Sequence, residues 1–404
     1  MSLDVRPVLS ALRRSPAGAI LVALEIAIAV AVIVNSAGIV AQRLAKIERP
    51  TGIDAQDSFT IFFSGVTSDF DAASAMQQDT AYLRTLPGVI DAVATLGVPL
   101  SGDGGDQPFY SRPGKKGARV IASYLQVDQE GLRTLGVPLI AGRNFRSDEI
   151  QLISKGNMSA MPPVAIITHA VARALFPGGE ALGKTLFDGQ GNPMAVIGIT
   201  RDFMGPQEGN PAYDTVMLPQ IPAAFGGYNC IVRTQPGRAR AIMQQAERHL
   251  AASNPGRIIA LAQPLSWFKR QQDAENRAMA IFLMAVTALI LLVTGVGIFG
   301  LTTFNVSTRT RQIGTLRAVG ARQRDVVARF LVENAIVLTV GVLMGTTFAL
   351  GIGYWLTLEY QVPRLNLEFL ALGVLVLAAI GQLAAWQPAR RAAAVPPSVA
   401  TRTI

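Results

Sequence analysis

The chain has 404 residues, 50% of them hydrophobic, with a mean hydropathy of +0.35. Only 16% are charged, yet the formal net charge is +9. This balance is too apolar for a typical soluble protein and points to a membrane protein with a basic face. The single cysteine, Cys230, excludes an intrachain disulfide framework and a Cys-rich metal site, and His169 and His249 have no Cys or His at ligand spacing.

After a basic start at 1–16, the first apolar run is Ala17 to Val40. It is too long for a signal-peptide core and holds no clear cleavage site, so it reads as an uncleaved span. Glu25 lies well inside it. A charge at that depth costs roughly 3 kcal/mol on insertion scales, so Glu25 is expected to face protein or water. The small residues of "AIAVAVIV" allow a partner helix to approach closely.

Residues 41–277 hold 23 basic and 21 acidic side chains and read as a folded α/β segment whose size predicts two lobes. "DTAYLRTLPGVIDAVATL" gives a helix, a Pro-Gly break and a strand. The Gly- and charge-rich "GDGGDQPFYSRPGKKG" reads as an exposed loop, with Asp103 and Asp106 as solvated charges. "VAIITHAVARALF" is a strand and a short helix, "MAVIGIT" a strand and "ARAIMQQAERHLAA" an amphipathic helix.

Within this segment, "FPGGEALGKTLF" satisfies G-x-x-x-x-G-K-[ST] through Gly178, Gly183, Lys184 and Thr185. A working phosphate cradle follows a strand and opens a helix. Here the preceding residues read as helical, and "TLFDGQGNPMAVIGIT" behind them reads as a hairpin. The stretch is expected to be a turn, with no nucleotide bound. No catalytic constellation of nucleophile and base is visible either.

Three more apolar runs follow, at 278–306, 331–357 and 367–386, separated by 307–330 and a short loop at 358–366. Gly295, Gly297 and Gly300 offer smooth faces in the second span. Gly341 and Gly345 stand at G-x-x-x-G spacing in the third, as in a helix–helix contact between two chains. Twelve Lys and Arg against two acids lie before the first span, in 307–330 and after the fourth, at 387–404. The positive-inside rule then places both termini and the 307–330 loop in the cytoplasm and the 41–277 segment outside. The run "RTRQIGTLRAVGARQRD" resembles a nucleic-acid patch by charge alone. Its place between two spans predicts instead a short helix on the membrane face, whose arginines pair with partner acids or anionic lipid, and no nucleic-acid partner.

That loop and its flank, "RTRQIGTLRAVGARQRDVVARFLVENAIV", resemble the hallmark of the FtsX/MacB-type permeases of ABC transporters, through Arg309, Arg311, Ile313, Gly314, Arg317, Ala318, Gly320, Ala321, Val326 and Glu333. "SYLQVDQEGLRTLGVPLIAGRNF" and "VAIITHAVARALFPGGEALGKTLF" are similar to the MacB-type periplasmic core domain, which makes the Gly-Lys-Thr part of a family motif unrelated to nucleotide. "PARRAAAVPPSVATR" resembles the family's ending.

The resemblance implies a multi-pass protein of the bacterial inner membrane: four transmembrane helices, with a large mixed α/β periplasmic core domain between helices 1 and 2. It implies a non-catalytic permease subunit that binds no cofactor. ATP and magnesium belong to a separate cytoplasmic ABC ATPase dimer, as expected for a chain that shows no fused nucleotide-binding domain. The ATPase-coupling residues are then Arg309, Arg311, Gln312, Ile313, Gly314, Arg317, Ala318, Gly320, Ala321 and Arg324, with Glu25 and Glu333 as polar groups of the spans. Gln312 is a departure, because Glu is usual there, and it favours pairing with a paralogous permease over a second copy. The implied function is export of a drug, peptide or similar amphiphile by mechanical transmission to the periplasmic domain, with a periplasmic adaptor and an outer-membrane channel as further partners. Alternatives within the resemblance are lipoprotein release and FtsX-like regulation of cell-wall enzymes.

Overall fold

The computed structural model describes residues 16–67, 70–154, 156–157, 160–207, 212–360 and 367–394. The chain divides into a helical unit, residues up to 48 and from 275 onward, and an α/β unit, residues 49–274. Helix α1 (Pro16–Glu48) opens the helical unit and continues well past Val40, the end of the apolar run.

In the α/β unit, β1 (Ser58–Gly65) leads to α2 (Ala72–Thr85), whose N-terminus is capped by the Asp71 carboxylate accepting from the Ser74 amide at 3.1 Å. The Pro-Gly break, with Gly88 at φ 94°, turns the chain into β2 (Val89–Thr95). Then come β3 (Asp106–Arg112), β4 (Lys116–Val127), α3 (Gly131–Leu135), β5 (Leu139–Gly142), β6 (Gln151–Ile153), β7 (Val164–Thr168), α4 (His169–Leu175), β8 (Thr185–Phe187) and β9 (Pro193–Thr200). The unit ends with β10 (Thr215–Pro222), β11 (Gly227–Thr234), α5 (Ala239–Ser253) and β12 (Arg257–Pro264).

These strands make two sheets. The first is antiparallel in the order β12-β1-β11-β2. Alternation along β1 sends Phe59, Ile61 and Phe63 into a core with α2 and α5, where Ile242, Ala246 and Leu250 recur at helical spacing. Thr60 and Phe62 take the opposite face. An ion pair lies inside this layer. Arg257, 5% exposed, binds both carboxylate oxygens of Asp79, 4% exposed, while the Tyr228 hydroxyl donates to Asp79 Oδ2 at 2.6 Å. The Arg257 guanidinium also covers the Phe63 ring at 4.3 Å.

The second sheet runs β4-β3-β8-β9-β7-β10, and β10 pairs back on β4 in parallel, so these strands close into a small barrel. Helix α4 contacts β3, β4, β7, β9 and β10, and its Val171, Ala172 and Leu175 plug the barrel core. The two predicted lobes thus take the form of two sheets in one compact unit. One expectation is corrected here: "GDGGDQPFYSRPGKKG" is a loop only at its glycine-rich start. From Asp106 it is the β3–β4 hairpin, with Phe109 fully buried and a turn made by Gly114 and Lys115 at φ 69° and 59°. Charge at the turn hid the apolar alternation of "QPFYS".

Helix α6 (Leu265–Thr308) begins within the α/β unit, where Leu265 and Phe268 are buried in the core, and from residue 275 it belongs to the helical unit. That unit continues with α7 (Thr310–Ala318), α8 (Gln323–Tyr360) and α9 (Leu367–Ala394). Four of these helices, α1, α6, α8 and α9, are long and apolar enough to cross a membrane. A second correction concerns Gly341 and Gly345. A Cβ on Gly341 would stand 2.8 Å from the Ala23 carbonyl, and one on Gly345 2.6 Å from the Ala27 carbonyl. The G-x-x-x-G spacing therefore serves the α1–α8 crossing within this chain, not a contact between chains. The small face of α1 finds its partner here. A buried amide ties α8 to α9: Asn334 Nδ2 donates to the Gly381 carbonyl at 3.1 Å.

Candidate functional site

The sequence motif of 307–330 is helix through most of its length: the end of α6, all of α7 and the first turns of α8. Gly320, at φ 101°, makes the turn between α7 and α8, and the Asp325 carboxylate accepts from the Arg322 amide at 3.0 Å at the head of α8. Ile313 is 5% exposed and packs with Val326 and Phe330 of α8 and with Ala389, Ala392 and Ala393 of α9. Pro388 lies within α9 and does not end it, so the segment expected to leave the fourth span at 387 is helical to Ala394. Residues 1–15, 361–366 and 395–404, which hold most of the expected N-terminal segment, the short loop and the C-terminal segment, lie outside the described residues.

The ten residues read from the motif divide into two sets. Ile313 and Gly314 are buried. Arg309 is committed to Glu333, its Nη1 donating to Oε1 at 3.1 Å and Oε2 at 2.9 Å, with Glu333 only 6% exposed. Arg317 Nη1 donates to the Ala393 carbonyl at 2.9 Å, closing the last turn of α9. Ile313, Arg309 and Arg317 hold α7 in place. Gln312, Ala318, Gly320 and Arg324 are exposed and Ala321 is half-buried. Arg311 belongs to α7, and its side chain is outside the described residues.

Sequence reasoning missed Leu316 and Val319, 42% and 84% exposed, which share the outward face of α7 with Gln312. Their signal was an i, i+3 apolar pair offset from Ile313 on a helix otherwise rich in charge. Between this face and α8 lies a cleft of about 140 Å³ lined by Gln312, Leu316, Asp325 and Arg329. Such a surface combines an apolar centre with Arg donors at the rim, an arrangement suited to a protein partner bearing acids.

Glu25 is half-buried and rests against α6, where a Cβ on Gly297 would come 2.5 Å from its Oε2. Gly297 thus leaves the room this carboxylate occupies. Gly300 has open space around it.

The stretch with the P-loop pattern lies between α4 and β8. The Gly183 amide donates to the Val196 carbonyl at 2.8 Å, and Lys184 Nζ stands 5.4 Å from the Phe176 ring centroid. Thr185 starts a strand of the β8–β9 hairpin, so no helix N-terminus faces this loop. His169 begins α4 on the surface, His249 stacks on Tyr82 at 4.0 Å, and Cys230 is buried with its thiol pushed up by burial.

Comparison with known proteins agrees with this geometry. Residues 19–250 match the MacB-like periplasmic core domain, and residues 284–397 match the FtsX-like permease C-terminal region. A macrolide export ATP-binding/permease protein MacB of Chromobacterium violaceum is 28% identical over 286 residues, 69% of this chain and 43% of that protein. The protein of the same name from Shigella boydii is 27% identical over 289 residues, again 69% and 43%. The chain thus spans less than half the length of these curated relatives. The crystal structure of the periplasmic region of MacB from Actinobacillus actinomycetemcomitans covers 56% of this chain and 97% of its own, at 14% identity and a TM-score of 0.36. With both regions matched and the four apolar helices enclosing the α/β unit in sequence, the chain belongs to the FtsX/MacB-type family of ABC transporter permeases.

Proposed function

We propose that the chain is the permease part of an export system for a drug, peptide or similar amphiphile, driven by ATP that a separate cytoplasmic ATPase dimer hydrolyses with magnesium. Both termini and α7 face the cytoplasm and the α/β unit faces the periplasm. The charge distribution supports this orientation, because the arginines concentrate around α7 and the chain ends. In this reading the chain itself holds no nucleotide, which is supported by the Gly183 and Lys184 amides being taken by the Val196 and Ala181 carbonyls and by Thr185 opening a strand rather than a helix.

The observation that carries the reading is the division of α7 into two faces. One is clamped by Ile313, Arg309 and Arg317 to α8 and α9; the other presents Gln312, Leu316 and Val319. A partner docked on the outward face moves α8 and α9 through the clamped one, and α7 follows α6 after one residue, Arg309. Transmission through α6 and α1, the two helices that flank the α/β unit in sequence, is the mechanism we favour. Gln312 on the docking face favours a paralogous permease as the second half; a periplasmic adaptor and an outer-membrane channel are the further partners proposed for the route.

The test is Val319→Asp combined with Leu316→Asp in the full chain. Both side chains are exposed, so the fold tolerates the change, and co-purification of the ATPase is expected to fall more than tenfold. ATPase recovery equal to wild type would remove α7 as the docking element. Arg317 is a poorer test position, because its hydrogen bond to the Ala393 carbonyl ties α7 to α9.

A further inference from the structure

The α/β unit contains a cleft of about 430 Å³ that the coupling mechanism does not use. It lies on the face of the first sheet opposite α2 and α5, under the 96–105 loop and beside β4. Its size falls in the range of drug-sized ligand sites. Phe62, Leu261 and Phe268 supply apolar and aromatic walls. The polar groups are few. Asn229 donates its Nδ2 to the Leu96 carbonyl at 2.8 Å, leaving Oδ1 without a protein donor among the described residues. Gln126 donates to Gln220 at 3.4 Å, and its own oxygen is likewise unpartnered. The Tyr124 hydroxyl lines the cleft with no protein partner among the described residues. The lining contains one carboxylate, Asp103, exposed at the rim, and no basic side chain.

The glycine-rich "GDGG" is part of this construction. A Cβ on Gly105 would overlap the Tyr124 ring, so only glycine lets the loop lie over it. Phe268 belongs to α6, and Gln272, one turn further along that helix, donates to the Leu100 carbonyl of the same loop at 2.7 Å. An occupant of the cleft touches both the loop and the first turns of the helix that continues as the second span.

We propose that this cleft is a binding site for a neutral or singly cationic amphiphile: an apolar body between Phe62, Leu261 and Phe268, with its polar group at Tyr124 and Asn229 and any positive charge at Asp103. The chemistry follows from the lining. Unpartnered acceptors and a phenol favour amide, hydroxyl or ammonium groups, and a lone rim carboxylate disfavours anions. Identifying the occupant with the exported cargo rests on the export reading above; the binding itself does not.

The experiment uses the full chain in lipid nanodiscs and a benzophenone-bearing alkylamine, photolysed with and without excess unlabelled alkylamine. The cross-linked peptides are mapped by mass spectrometry. Saturable labelling of the 96–105 loop and of the peptide holding Phe268 is expected, with the corresponding alkyl carboxylate labelling much less. Tyr124→Phe is expected to weaken binding about fivefold, the worth of one hydrogen bond of about 1 kcal/mol. Asp103→Asn lowers the preference for amine over carboxylate, and Leu261→Trp fills the cleft and abolishes labelling there. Labelling that is unsaturable, confined to the helical unit or unchanged by Leu261→Trp overturns the proposal. Export measured in parallel separates the two ideas. ATP-driven export without cleft labelling removes only the site. Cleft labelling without ATP-driven export leaves the site standing and removes the transport reading.

Discussion

The α1–α8 crossing makes a quantitative prediction through four Gly→Ala substitutions. In each, the added methyl improves helix propensity by about 1 kcal/mol. At Gly300 and Gly351 it points into open space, so the propensity gain is the whole effect. At Gly341 and Gly345 it meets Ile26 Cβ at 2.7 Å and Val30 Cβ at 2.7 Å, besides the two α1 carbonyls. These contacts are roughly 0.7 Å inside ordinary van der Waals separation, and backbone on the far side cannot rotate away, so α1 must move. Overpacking of this kind costs about 1–3 kcal/mol per site. Because the propensity gain cancels in the comparison, Gly341→Ala and Gly345→Ala should each be about 1–3 kcal/mol less stable than Gly300→Ala and Gly351→Ala. The assay is SDS titration of the full chain in mixed micelles, followed by circular dichroism. Four substitutions equal to within about 0.5 kcal/mol would refute the close crossing and return the G-x-x-x-G pair to a contact between chains.

Three further outcomes follow from the α/β unit. Asp79→Ala leaves Arg257 buried without its counter-ion and is expected to cost about 3–5 kcal/mol, read as faster hydrogen exchange of β11 and β12 in urea. Burial, reinforced by the charge of Asp202 and opposed by Arg173, raises the Asp214 carboxyl to about 6. Since the folded value lies above the unfolded one, this group's stability contribution is fully present below about pH 4 and is lost as pH rises to about 6. A loss of about 3 kcal/mol over that window, absent in Asp214→Asn, is expected in thermal melts against pH. Lys184→Ala should leave ATP hydrolysis by the assembled transporter unchanged, because Lys184 lies over Phe176 rather than in a phosphate cradle; a large loss would reinstate nucleotide binding at the turn.

Much of the fold was legible because burial left periodic marks. The apolar lengths marked the four long helices, and "ARAIMQQAERHLAA" marked α5 by the spacing of Ile242, Ala246 and Leu250. The turn at 178–185 was legible from context, since the helix before it and the hairpin behind it both carry their own periodic patterns. Three things were not legible. The β3–β4 hairpin was masked by charge at its turn. The partner of Gly341 and Gly345 was hidden because a small-residue stripe states close approach without naming the helix that approaches. The division of the coupling motif into a clamped and an outward face required knowing that Ala389, Ala392 and Ala393 of α9 return to cover Ile313. Motif membership grouped Arg309 and Arg317 with Gln312 and Arg324, while their hydrogen bonds separate them.

The central claim is that this permease works with a separate ATPase through α7. The most direct measurement is a mild-detergent pull-down of the tagged full chain, with every co-purifying protein identified. The account predicts recovery of an ABC ATPase together with a second permease, and loss of the ATPase alone when Leu316 and Val319 are both changed to Asp. Recovery of the second permease without any ATPase, from membranes where the assembly demonstrably survives, would contradict it.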